Sequence, residues 1–70
     1  MAKDNFDKFL DDVKRDFRIH KEWLKTEKRI IELNEEMGES EKTSKLIQAT
    51  SEFNRKMFDS INRANKRYFG

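Results

Sequence analysis

Glycine and proline, the residues that most often interrupt a helix, are almost missing from this chain. Proline does not occur, and apart from the last residue the only glycine is Gly38. Because these residues are the strongest helix breakers, residues 3–37 and 43–69 should each continue without interruption. Apolar residues recur every three or four positions in both stretches, as on one face of a helix. We therefore predict an all-α fold, an antiparallel two-helix hairpin with helices at about 4–37 and 41–69 and a turn at Gly38.

The ends of the predicted helices carry suitable capping residues. Asp4 or Asn5 can cap the start of the first helix, and Ser40 can cap the second. Gly38 suits the left-handed backbone conformation that often ends a helix. The first helix begins with acidic residues and the second ends with basic residues. An antiparallel pair brings these two ends together, so the charges support the predicted direction.

The first predicted helix carries two apolar stripes. One consists of Phe6, Leu10, Val13, Phe17, His20, Leu24 and Ile31, and the other of Ile19, Trp23, Thr26, Ile30, Leu33 and Met37. The stripes lie about 100° apart around the helix, whereas one partner helix covers only a narrow seam. The hairpin is therefore predicted to dimerise into a four-helix bundle. The residues predicted for the dimer or partner interface are Ile19, Trp23, Ile30, Leu33, Met37, Phe53 and Met57.

A three-helix bundle with a break near residues 18–21 is the alternative fold. The apolar stripe changes phase there, but no glycine, proline or asparagine marks a break. Under either fold, a chain of this length is expected to form one domain over residues 1–70.

Composition narrows the class of protein. Charged residues make up 43% of the chain and hydrophobic residues 34%, which is typical of polar helices with a narrow apolar seam. There is no cysteine, and the N-terminus lacks the apolar core of a signal peptide. Uninterrupted apolar runs reach only two residues, far fewer than a membrane span needs. We expect a cytoplasmic protein with no membrane partner.

The sequence offers little for catalysis. Its single histidine, His20, lies on an apolar stripe, where it is either a pH-sensitive interface residue or a half-buried structural one. The adjacent carboxylates Asp11–Asp12 and Glu35–Glu36 diverge on a helix instead of converging on one ligand. The common metal-binding and phosphate-binding motifs do not occur. We predict a non-enzymatic protein with no catalytic residues, metal or cofactor.

Three function classes fit these observations. The leading one is a small helical adaptor or regulator, of a build found in bacteria and phages, that binds itself and another protein through helix faces. The alternative is a nucleic-acid-binding dimer, because residues 52–70 carry five Lys or Arg and two Asp or Glu. Its contact residues would be Arg55, Lys56, Arg63, Lys66 and Arg67. The third class is a structural assembly module.

Overall fold

The computed structural model describes residues 4–70, which form two α-helices, α1 (Asn5–Glu32) and α2 (Glu39–Tyr68). Contacts between residues far apart in sequence, such as Asp12 with Arg67, show that the helices are antiparallel. The all-α hairpin is thus confirmed for the described part of the chain. It is thin, with dimensions of 54 × 21 × 10 Å. The predicted domain also includes residues 1–3, which lie outside the described residues.

Helix α1 begins as predicted and continues without a break. The Asp4 carboxylate accepts a hydrogen bond from the backbone N–H of Asp7 at 2.8 Å, so Asp4 is the N-cap. The helix passes through residues 18–21 without interruption. The break required by the three-helix alternative therefore does not occur. Neither helix of residues 4–70 combines the length and apolarity needed to span a membrane.

The predicted end of α1 at residue 37 is wrong, because the helix ends at Glu32. The side chain of Asn34 accepts a hydrogen bond from the backbone N–H of Glu36 at 2.9 Å, a local turn that competes with helix. A longer helix would also place more glutamates at the negative end of its dipole. With the helix ending at Glu32, the Lys42 ammonium donates to the backbone carbonyl of Glu32 at 3.0 Å. This hydrogen bond satisfies one of the free carbonyls at the helix end.

The predicted roles of Gly38 and Ser40 are also wrong. Gly38 has φ −75° and ψ 166°, an extended conformation, and it is the N-cap of α2. Helix α2 consequently begins at Glu39, two positions before the predicted start, and Ser40 lies inside its first turn. The chain reverses over residues 33–38, and no residue of the described chain has a positive φ. The longer connection therefore makes the turn without a left-handed glycine.

The helices meet along three small side chains and one isoleucine. Ile31, Ala49, Ala64 and Ser60 are the buried residues of the described chain. Alanine and serine let two helix backbones approach closely, and aromatic pairs flank them at Phe9–Phe69 and Phe17–Phe53. This core is small, and nine large apolar side chains of residues 4–70 remain exposed.

Candidate interaction surface

The open end of the hairpin is joined by a polar cluster around Asp12. Its carboxylate accepts hydrogen bonds from the Arg67 guanidinium at 2.5 Å and from the Tyr68 hydroxyl at 2.8 Å. The Tyr68 hydrogen bond, with a further contribution from Arg67, lowers the pKa of Asp12 below its usual value. The Asn5 side chain adds a hydrogen bond to the Tyr68 carbonyl at 3.1 Å. This cluster fixes the start of α1 against the end of α2.

One broad side of the hairpin is polar, and we call it the polar face. The Ser60 hydroxyl donates to the Asp16 carboxylate at 2.5 Å. These two residues line an open cleft of about 340 Å³ with His20, Asp59 and Arg63. His20 is thus half-buried among charged side chains. In the described chain no group of three or more potential ligands could hold a metal ion.

The residues predicted to contact nucleic acid occupy different environments. Arg67 is paired with Asp12, and the Lys56 ammonium lies 3.5 Å from the centre of the Trp23 ring. Arg63 lines the cleft that also contains Asp16 and Asp59, whereas Arg55 and Lys66 are exposed. The five residues therefore do not form one uniformly free basic surface.

The opposite side of the hairpin carries two open apolar clefts. The first, of about 500 Å³, has Val13, Phe17 and Met57 as its apolar lining. The second, of about 430 Å³, is lined by Leu46, Ile47 and Thr50. We call the surface formed by the six residues Val13, Phe17, Leu46, Ile47, Thr50 and Met57 the groove face.

Helix geometry shows that the two clefts belong to one surface. Leu46 in the second cleft and Met57 in the first are eleven residues apart, a rotation of only about 20° around α2. On α1, Phe17 lines the first cleft and Lys28 lines the second. These two residues are also eleven positions apart. The groove face is therefore one apolar furrow that follows the seam between the helices.

The structure divides the predicted interface residues between the two sides. Ile19 and Ile30 are exposed but lie about 140–160° around α1 from Phe17. Met57 lines the groove face, and Phe53 packs against Phe17 with ring centres 5.9 Å apart.

The remaining three predicted interface residues lie away from the groove face. Trp23 is half-buried under Lys56 on the polar face. Leu33 and Met37 belong to the connection between the helices. The structure thus does not bring the seven predicted residues together in one surface.

A row of cations borders the groove face, and the sequence reasoning missed it. Four of these cations line the first cleft and the fifth lines the second. We call them the basic ridge: Lys14, Arg18, Lys21, Lys25 and Lys28. Their spacing of four, three, four and three residues places them in one line along α1. That spacing is visible in the sequence, but residues 1–37 carry nine Lys or Arg against ten Asp or Glu, and this near balance conceals it.

Comparisons with protein-family models, with curated proteins and with solved structures found no match to this chain. A functional proposal therefore depends on the geometry of the chain itself. The groove face and the basic ridge are the features on which it can be built.

Proposed function

We propose that this chain is a non-enzymatic interaction protein that binds other helices through the groove face. Its first partner is a second copy of itself, and two hairpins stacked groove to groove form a four-helix bundle. The observation that supports this proposal is the amount of apolar surface that one hairpin leaves uncovered. Phe17, Ile47 and Ile61 are all exposed in the single chain, although side chains of this kind are normally buried.

The total surface area supports the proposal quantitatively. The chain exposes 5739 Å², whereas a compact monomer of 8.5 kDa exposes about 4,700 Å². The excess of roughly 1,000 Å² is close to the ~800 Å² that each partner buries in a standard protein interface. A second hairpin on the groove face would cover an area of this size.

The shape of the hairpin is suited to such stacking. Its broad side measures 54 by 21 Å and its thickness is 10 Å. Two such slabs stacked face to face place four helices around a shared apolar seam, with axes at the usual spacing of about 8–10 Å. A closed two-fold dimer of this kind would bury the groove face of both copies and would end growth at two chains.

A matched pair of isoleucine substitutions tests the proposal. Ile47 is 62% exposed on the groove face, and Ile30 is 58% exposed on the other side of α1. Burial of one isoleucine is worth about 1.5–3 kcal/mol, so Ile47→Ser should weaken self-association by about tenfold or more. Ile30→Ser should leave it unchanged. Sedimentation equilibrium over a range of concentrations measures both effects, and helix content from circular dichroism checks that each variant folds.

Two results would contradict the proposal. One is a wild-type chain that stays monomeric at about 100 μM, since a dimer with a dissociation constant in the micromolar range would then be populated. The other is a chain in which Ile30→Ser weakens the dimer and Ile47→Ser does not. That second result would move the interface to the arc of Ile19 and Ile30.

A further inference from the structure

The basic ridge has few partners within its own chain. Lys25 lies 3.7 Å from the Glu22 carboxylate, an exposed pair, and Lys21 lies 5.8 Å from the Phe17 ring centre. Lys14, Arg18 and Lys28 form no ion pair within residues 4–70. Like charges three and four residues apart destabilise a helix. Apart from these two contacts, the ridge therefore does little to stabilise the hairpin, and most of its charge is available to a ligand.

The opposite wall of the groove face carries no charge. An arc of about 120° on α2, followed from Thr43 to Ile61, contains only apolar and uncharged polar side chains. Its members are Thr43, Ile47, Thr50, Ser51, Asn54, Met57, Phe58 and Ile61. A helix lying in the groove would consequently meet five cations and two carboxylates, Glu22 and Glu32, on one flank and a neutral wall on the other.

A second copy of the chain can cover the apolar part of this surface but does not pair with its cations. In a face-to-face dimer, the ridge lies either over the partner's ridge or over the partner's neutral wall. The first arrangement sets like charges against each other, and the second offers the cations no carboxylates. Self-association therefore covers the apolar furrow and brings no row of counter-charges to the ridge.

We infer that the groove face also binds an acidic amphipathic helix of another protein. The apolar stripe of that helix lies in the furrow, and a row of Asp or Glu along one flank faces the basic ridge. Over the roughly 21 Å from Lys14 to Lys28, three turns or more of such a helix can make both kinds of contact. This inference rests on the proposed function, because it identifies a partner for the same surface and implies that partner and dimer compete.

Other polyanions match the surface less well. Nucleic acid would use the five cations, but its phosphates gain nothing from the apolar furrow formed by Val13, Phe17 and Met57. A helix with one acidic flank and one apolar face uses both features. Charge complementarity along the flank would set its direction and register as well as its affinity.

Two labelled synthetic peptides of about 18 residues, five helical turns, test the inference. They share one apolar stripe and differ only in one flank, which carries glutamates in the first and lysines in the second. Fluorescence anisotropy of each peptide, titrated with the full chain, should show at least about tenfold tighter binding of the acidic peptide. The difference should shrink as salt rises.

Charge-reversal variants locate the site. The double variant Lys21→Glu, Lys25→Glu should abolish or invert the preference for the acidic peptide. Arg55→Glu, Lys66→Glu makes the same change of net charge at two exposed positions away from the groove face, and it should leave the preference unchanged. Ile47→Ser should weaken both peptides, because it removes part of the shared apolar wall.

The inference is overturned if both peptides bind equally, or if neither binds. It is also overturned if the chain binds neither peptide but does bind vesicles of anionic lipid or a DNA duplex. Where Ile47→Ser weakens self-association while the ridge variants change nothing, the proposed function stands and the acidic partner is refuted. Where Ile47→Ser affects neither self-association nor peptide binding, the proposed function fails as well.

Discussion

At the scale of single residues, Asp12 shows what charge in a sequence can and cannot predict. The acidic start of α1 and the basic end of α2 predicted an antiparallel pair, which the contact between Asp12 and Arg67 confirms. The sequence did not indicate that Tyr68 would be the second donor to the same carboxylate. Three aspartates, Asp7, Asp11 and Asp12, lie in the first turns of α1, and the rotation of the two helices decides which of them faces α2.

The lowered pKa of Asp12 makes a pH-dependent contribution to stability. Because the folded pKa lies below the ordinary value of 3.8, the contribution is complete above that value and is lost as the pH falls through the folded pKa. Asp12→Asn keeps the shape and removes the charge. The variant should therefore melt at a lower temperature than the wild type at neutral pH, and the difference should vanish at strongly acidic pH. Thermal unfolding followed by circular dichroism measures both.

Glu35→Gln provides the control for this experiment. Glu35 is an exposed carboxylate in the connection between the helices, and its removal should leave the melting temperature nearly unchanged at both pH values. A melting difference between wild type and Asp12→Asn that persists unchanged at acidic pH would show that the carboxylate charge is not the cause.

At the scale of the helices, the sequence predicted their number and direction better than their ends. Continuous apolar spacing and the missing breakers favoured two helices over the three-helix alternative with a break at 18–21. The early end of α1 depends on the local hydrogen bond of Asn34 and on the approach of Lys42 from α2. The second of these contacts exists only after the chain has folded back, so periodicity in α1 could not reveal it.

Because Gly38 is extended and not left-handed, replacing it with serine should stabilise the fold instead of destabilising it. As an N-cap in extended conformation, with no atom within 4 Å of an added Cβ, this position accepts a side chain without strain. Gly38→Ser adds a capping oxygen and restricts the unfolded chain, so it should increase the free energy of unfolding by about 0.5–1 kcal/mol. Urea unfolding at a fixed protein concentration measures the change.

The predicted cap at Ser40 supplies the comparison for Gly38→Ser. Because Ser40 lies inside the first turn of α2, Ser40→Ala should change the free energy of unfolding by a few tenths of a kcal/mol at most, whereas loss of a true N-cap costs about 1 kcal/mol. A left-handed Gly38 would instead make Gly38→Ser destabilising by about 1–2 kcal/mol.

At the scale of the whole molecule, the sequence predicted an excess of apolar surface, and the structure exposes apolar side chains on both sides of the hairpin. The predicted arc around Ile19 and Ile30 is exposed, yet the clefts lie on the other side of α1, beside Phe17. Both stripes had plausible spacing, and only the packing of α1 against α2 decides which one continues into a furrow. The basic ridge borders a binding surface only because that furrow exists, so its spacing alone does not indicate a site.

The proposed stacking predicts a specific change in molecular dimensions on dimerisation. A second slab placed on the groove face doubles the mass but adds only one helix layer, about 8–10 Å away. The radius of gyration should therefore rise by only about 1 Å above the 16.1 Å of the hairpin, and the longest dimension should stay near 54 Å. Small-angle X-ray scattering across the concentration range of the monomer–dimer transition measures both quantities.

A dimer formed by opening the hairpin would scatter differently. If residues 33–38 became helical, α1 and α2 would join into one helix of roughly 100 Å at ~1.5 Å per residue, and two such chains would exchange helices with each other. A longest dimension near 100 Å in the dimer would thus contradict groove-to-groove stacking. The turn formed by Asn34 and the contact of Lys42 with the end of α1 both oppose that opening. Gly38→Ser, which strengthens the start of α2 at residue 39, should therefore leave the dimer as short as the wild type.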